Sequence, residues 1–430
     1  MNFIPYYNEF IHPAVLISSI AIFHTFIAHF SIGMGLYVIV CEYIAYRKND
    51  EALLNYTKKN SSLILFIATV LGALTGVGIW FVISIIAPFA TSTLIHNFVW
   101  FWATEWVFFV IEIVTIILYY YLWDKIDKKL HLLIGVIYFI AGYCSLVLIN
   151  GIISFQLTPG KWLETLNIWD GFFNPSFFPS TIARTGFCLI LASIFSTLII
   201  SFSKDRNIKR HAGRISTIFV VVGAIFCIVG SYYWVQSIPE SARSQLTGGN
   251  VTLTRFFQYY IIVGSTLIVL SIILELILYR YVNIVFAIIL LCVGMAAFSY
   301  FEFTRERVRK PYLVRDYVYA NGIPLEKVEE INKMGILEYA NPVLKNKTGT
   351  DNITKGELVY ISECYSCHSI NGFNNLRSKM GGLQADDIYY IIDGIAYNPL
   401  MPPFIGTDSE KRNLAAFLQD RLSKNEKSDR

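Results

Sequence analysis

Eight long apolar runs fill the first 304 residues, and they constrain the fold more than any other feature. They lie at about 13–45, 61–89, 97–123, 131–155, 181–203, 215–236, 257–280 and 283–303. A helix that crosses a bilayer needs ~20 mostly apolar residues. Inside hydrocarbon every backbone N–H and C=O must be paired, so runs of this length read as helices. The first run follows no basic stretch and contains no small-residue cleavage site, so it is expected to stay as the first membrane helix. Composition agrees: 55% of the 430 residues are apolar or aromatic and 15% are charged, against about 45–50% and about 25% in soluble domains. Almost all of the surplus precedes Arg305. This rules out a disordered chain and argues against a purely soluble enzyme. The expected fold is all-α: a polytopic bundle of about eight transmembrane helices over 1–304, a linker over 305–349, and a small all-α domain over 350–430.

Basic residues orient the bundle. The connections after odd-numbered runs carry Arg47, Lys48, Lys58 and Lys59, then Lys125, Lys128 and Lys129, then Lys204, Arg206, Lys209, Arg210 and Arg214, then Arg280. Those after even-numbered runs carry none, then Lys161, then Arg243 and Arg255. The positive-inside bias puts the odd-numbered connections in the cytoplasm. Both the N-terminus and the C-terminal domain are then expected outside, on the periplasmic face of a bacterial inner membrane. The net charge of +4 is loop charge of this kind, not a nucleic-acid footprint.

Of seven cysteines, five sit singly in apolar runs, where Cys is a small hydrophobe. The other two begin and nearly end Cys364-Tyr-Ser-Cys367-His368, a C-x-x-C-H haem attachment motif. Two thiols at this spacing can both reach the vinyl groups of one porphyrin, and His368 then faces the iron. A zinc site would need a second ligand pair, which the domain lacks. Met401, in Asn398-Pro-Leu-Met-Pro-Pro-Phe404, is the expected sixth ligand, with Met380 as competitor. Met/His ligation gives an electron-transfer haem of raised potential. With an amphipathic helix over 411–422, residues 350–425 resemble a small class I cytochrome c carrying one covalent haem c.

Ionisable residues at membrane depth are costly and are functional candidates by default. They are His24, His29, Glu42, Glu105, Glu112, Arg184, Glu275 and Glu302. His24 and His29 are five residues apart and project about 140° apart on a helix, so they cannot serve one iron. A helix His is also commonly a hydrogen-bonded structural residue. Glu105 and Glu112 share a helix face, which suits haem ligation, proton passage or bundle-stabilising hydrogen bonds. Glu302, at the end of the last run, is either functional or an interfacial partner of Arg305. Glu42 and Glu275, near helix ends, are expected to snorkel and receive no role.

The stretch His24-Thr-Phe-Ile-Ala-His-Phe-Ser-Ile-Gly-Met34 resembles the first helix of the catalytic subunit, subunit I, of cytochrome bd oxidases. Further pieces follow in order: Leu71-Gly-Ala-Leu-Thr-Gly76, Glu105, Glu112, Trp123-Asp124, His131, Asn150-Gly151, Asn174-Pro175, Glu302-x-x-Arg305 and Lys310-Pro311. The resemblance implies two non-covalent high-spin haems of b or d type. It implies His24 as axial ligand of one, Glu302 as axial ligand of the other, and Glu105 at the dihaem site. It implies a proton route from the cytoplasm through Asp124, Glu112 and Asn150, and a second multi-span subunit or homologous copy alongside. Arg305 and Arg309 are candidates to hold haem propionates; the alternative is solvated juxtamembrane charge.

The departures from the family pattern matter equally. The His that ligates the family's low-spin haem is missing from Asn174-Pro-Ser-Phe-Phe-Pro-Ser-Thr-Ile-Ala-Arg184-Thr, and Tyr260 stands near the expected Met. Only about 20 residues join the sixth and seventh runs, too few for the family's quinol loop. This pattern resembles a branch with a fused C-terminal cytochrome c. The expected function is a membrane terminal oxidase. Electrons from an external cytochrome c-like donor would pass through haem c to the high-spin pair and reduce O₂ to water. The alternative is a membrane electron carrier that never turns over O₂.

Overall fold

The computed structural model describes residues 6–340 and 351–423. Eight of its helices are long and apolar enough to cross a membrane: α1 (Pro13–Lys48), α2 (Glu51–Ile86), α3 (Pro88–Tyr121), α4 (Lys128–Phe155), α5 (Phe177–Ser201), α6 (Arg206–Ser237), α7 (Val251–Ile277) and α8 (Ile284–Val308). The number is the expected one. Several ends lie further out than the apolar runs suggest, because the helices continue into polar flanks until a cap stops them. Thus α2 begins at Glu51, where the Asp50 carboxylate accepts the Leu53 amide at 2.9 Å. Asp127, Asp205 and Asn250 cap α4, α6 and α7 in the same way. Side-chain caps of this type are worth about 1 kcal/mol each.

The chain divides into two compact units. The larger comprises 21–77 and 98–308. Its central helix is α5, whose apolar stretch is 78% buried, whereas that of α3 is only 17% buried. Without a hydrophobic drive between helices in lipid, close backbone approach must supply the cohesion. Gly186 of α5 provides it: a Cβ there would sit 2.5 Å from the Gly223 carbonyl oxygen on α6. Phe30 of α1 packs at a tilt against Phe195 of α5 with ring centroids 4.0 Å apart, and Phe187 packs edge-on against Phe298 of α8 at 5.3 Å. A π-helical turn, Ile67–Gly72, interrupts α2.

The smaller unit comprises 1–20, 78–97 and 309–430. The sequence reads 305–349 as a linker, but its described part is folded. A hairpin pairs Tyr312–Val314 with Val318–Tyr319, and helices Val328–Met334 and Ile336–Tyr339 follow. Ile323, Ile331 and Ile336 share one core with Leu358, Tyr360, Ile388, Leu414 and Phe417. Residues 341–350 of that segment lie outside the described residues. In this unit helix Asn352–Glu363 crosses helix Asp408–Ser423, the element expected over 411–422. They meet at Gly356, where a Cβ would lie 2.0 Å from the Asn413 carbonyl oxygen.

Candidate functional site

The C-x-x-C-H motif forms the turn that ends helix Asn352–Glu363. The Cys364 amide bonds the Tyr360 carbonyl at 2.9 Å, and the Cys367 and His368 amides return to the Cys364 carbonyl at 3.1 and 2.9 Å. The Tyr360 hydroxyl donates to the His368 carbonyl at 2.7 Å. His368 Nδ1 faces the Asn374 carbonyl at 3.2 Å. The Asn374 side-chain amide lies 3.3 Å from the same Nδ1, so Asn374 fixes the ring through both its backbone and its side chain. Cys364 and Cys367 are both thiols. Burial, with Glu363 and Cys367 alongside, pushes the Cys364 thiol up and keeps it neutral. These residues fit a covalently held haem. Met401 is half-buried in the turn after Asn398, while Met380 packs against the domain core.

Residues 6–12, ahead of α1, lie along this motif. His12 Nε2 meets the Cys367 carbonyl at 2.7 Å, and Tyr365 donates its hydroxyl to the Ile11 carbonyl at 3.2 Å. The Asn371 amide bonds the Glu9 carbonyl at 3.0 Å, and Tyr7 packs edge-on against Tyr365 at 5.0 Å. Nothing in the sequence pattern announces this strap, because it joins residues more than 350 positions apart.

In the larger unit His24 faces the π-helical turn of α2. Its Nδ1 lies 3.0 Å from Thr75 Oγ1, whose own proton goes to the Leu71 carbonyl at 2.6 Å. Thr75 therefore accepts from Nδ1–H, and the His24 lone pair is on Nε2. Gly76 leaves room beside the ring: a Cβ there would be 3.2 Å from His24 Cε1. His24 thus fits an axial haem ligand. His29 does not: its Nδ1 donates to the Thr25 carbonyl at 2.6 Å and its Nε2 accepts from Arg184 Nη1 at 3.3 Å.

Arg184 is the hub of a buried network that sequence reasoning missed. Its Nε donates to Asn150 Oδ1 at 3.0 Å, and its Nη2 pairs with Glu302 Oε1 at 2.9 Å. Glu302 Oε2 accepts from Arg305 Nε at 2.9 Å. Each carboxylate oxygen therefore faces a guanidinium and still has a lone pair to offer. Asn150, expected on a proton route, bonds α5, donating to Ser180 and Thr181 at 2.9 and 2.8 Å. Arg309, read from the sequence as a propionate holder or as solvated juxtamembrane charge, is not solvated. It is buried and donates to the carbonyls of Tyr312 and Leu313.

The carboxylates of α3 meet α4. Ser145 donates to Glu105 at 2.7 Å, and the Glu112 carboxyl lies against Gly142. Asp124 is exposed in the turn after α3 and pairs with Lys58 at 3.2 Å. The expectation that Glu42 and Glu275 snorkel is wrong: both are buried and bonded. Glu275 accepts from Ser193 and Thr197. Glu42 accepts from Tyr119 and faces His131 Nδ1 at 2.6 Å. The available signal was His131, a His at the start of an apolar run, but its partner is 89 positions away. Among the described residues no three His, Cys, Asp or Glu side chains converge as a metal cluster. Single axial ligands, as for haem, are a different arrangement.

Eight membrane-length helices, with His24 half-buried on α1 and Glu105 and Glu112 on α3, make up the larger part of the chain. The family model described as cytochrome bd terminal oxidase subunit I matches residues 15–245. The chain belongs to that family, a class of respiratory oxidoreductases of the membrane. Glu302 and the C-x-x-C-H motif lie beyond the matched stretch. Among solved structures the chain is similar to a chain of "The structure of bd oxidase from Geobacillus thermodenitrificans", with a TM-score of 0.61 and 17% identity. The match covers 81% of this chain and 97% of that one, and it shows a shared fold. No curated protein sequence matches the chain.

Proposed function

We propose that this terminal-oxidase subunit is a bd-type oxygen reductase fed from outside by a cytochrome c-like donor rather than by quinol. One observation carries the reading: the C-x-x-C-H motif belongs to one compact unit with the start of α1 and the α2–α3 bend. An electron-accepting haem c at His368 is thereby tied to the ends of the membrane helices. The chemistry supplied by the bound haems is single-electron transfer and reduction of O₂ to two waters. His368, with Met401, holds haem c, and Cys364 and Cys367 anchor it. His24 ligates one high-spin haem through Nε2, with Thr75 fixing the ring. Glu302 and Glu105 serve the second, with Arg305 holding Glu302 and offering charge to a propionate. Glu112 and Asp124 carry protons from the cytoplasmic side. External electrons meeting internal protons generate membrane potential. The exposed apolar face of α3, with Trp100 and Trp106, suits lipid, a second multi-span subunit or a homologous copy.

The double engagement of Glu302 by Arg184 and Arg305 favours one competing reading, a membrane electron carrier that does not reduce O₂. The two are separated on purified protein. A pyridine haemochrome assay is expected to give one haem c and two non-covalent haems per chain. The reduced protein is expected to bind carbon monoxide and to consume O₂ when given a reduced c-type cytochrome. Absence of carbon monoxide binding would establish the carrier reading instead.

A further inference from the structure

One face of α4 presents His131, Gly135, Tyr138, Gly142 and Ser145, at steps of four and three residues. Against it α3 presents Tyr119, Glu112 and Glu105, at steps of seven. The two rows interlock pairwise. Ser145 bonds Glu105, the Glu112 carboxyl rests on Gly142, and a Cβ on Gly135 would be 2.9 Å from the Tyr119 ring. Tyr138 donates its hydroxyl to the Ser31 carbonyl of α1 at 3.1 Å.

The seam ends at a closed triad. His131 Nδ1 faces Glu42 Oε1 at 2.6 Å, the Tyr119 hydroxyl donates to Glu42 Oε2 at 2.5 Å, and His131 Nε2 faces the Tyr119 carbonyl at 2.8 Å. Glu42 is 0% and His131 2% exposed. Two aromatic residues separate this pair from solvent. Trp123 lies edge-on to His131 at 4.7 Å, and Tyr46 approaches Glu42. Outside them stand cations and the exposed carboxylate: Lys58 over Trp123, Lys128 over Tyr46, and Asp124 paired with Lys58.

Burying a carboxylate and an imidazole at membrane depth costs several kcal/mol unless both are paired and bonded. A helix staple would need neither ionisable group, since two apolar side chains would serve as well. A carboxylate that shares protons with His and Tyr, one layer behind a charged mouth, is suited to receive protons and pass them on.

We propose that Glu42 and His131 form the proton-loading pair of this seam, taking protons behind Asp124 and delivering them past Tyr119 and Tyr138 to Glu112. This rests on the oxygen-reducing reading, in which O₂, four electrons and four protons give two waters. Each proton enters the carboxylate–imidazole pair and leaves it toward Glu112, so the pair returns to its starting charge. The step from Tyr119 to Glu112 is two helical turns, about 10 Å along the axis, and is crossed by a short water chain.

The test uses the purified holo-complex, reduced and mixed with O₂ while a pH dye follows proton uptake and absorbance follows the haems. Glu42→Gln is expected to retain its haems and carbon monoxide binding and to react first with O₂ at the wild-type rate. Its proton uptake and steady turnover are expected to slow at least tenfold, and Glu42→Asp to restore most of both. Tyr119→Phe, which keeps the ring in place, is expected to slow uptake about threefold. Glu42→Gln with full haem content and wild-type uptake would overturn the relay. Loss of haem from both Glu42→Gln and Tyr119→Phe would also overturn it, making the triad a structural clasp. If the wild-type protein reacts with O₂ without taking up protons, the oxygen-reductase reading itself falls, and the relay with it.

Discussion

At the scale of single residues, protonation geometry separates groups that look alike in sequence. His24 and His29 lie on the same helix, but only His24 has its lone pair on the nitrogen that points away from its fixing bond. His24→Ala is expected to remove one high-spin haem and its carbon monoxide difference spectrum, while haem c stays reducible. His29→Ala is expected to leave the haem count unchanged, because both ring nitrogens are already bonded to protein. Loss of haem from His29→Ala alone would reverse the assignment. At the soluble end, a Cys364→Ala, Cys367→Ala double variant is expected to leave no haem-staining band on a denaturing gel. A surviving band would show that attachment does not use this motif. The motif was legible beforehand because it is written in five adjacent positions. Arg184 was not, because its meaning depends on Asn150, His29 and Glu302, which come from three other helices.

At the scale of elements, apolar periodicity told the number of spans, since the cost of unpaired backbone in lipid dictates helix length. It could not tell which helix sits at the centre. The small residues that place α5 there are spread through a run no more apolar than its neighbours, and their effect appears only when α6 is opposite. The Arg184–Glu302 pair joins α5 to α8 at 2.9 Å. Removing one partner of a buried pair strands the other charge, at a cost of about 3–5 kcal/mol. Arg184→Met is therefore expected to lower the thermal unfolding temperature clearly, and adding Glu302→Gln to recover much of the loss. Two additive penalties in the double variant would show that the pair is not coupled. In the soluble unit, Gly356→Val is expected to force apart helices Asn352–Glu363 and Asp408–Ser423, because the Asn413 carbonyl occupies the space of any Cβ. Circular dichroism and haem c content would report it; an unchanged haem c yield would contradict the crossing.

At the scale of the whole molecule, the short α6–α7 connection is the feature behind the proposal of a donor other than quinol. Its residues 238–250 form a helical turn, Glu240–Ser244, and a π-helical turn, Gln245–Gly249. No extended loop projects between the two spans. Reduced quinol analogues are expected to drive no oxygen uptake by the purified complex, and robust uptake would overturn the proposed route of electrons. The strap brings together the two ends of the described chain, with residues 8–12 touching residues 365–373. The strap also dictates an order of biosynthesis. Asn8 and Tyr365 are 357 positions apart, so an early segment to leave the ribosome stays without its partner until nearly the last has been made. Contacts of such separation form late in folding. The lead-in to α1 therefore closes over Cys364 and Cys367 only after the final domain has been made, and on the proposed reading haem would be joined to the two thiols in the interval before it does.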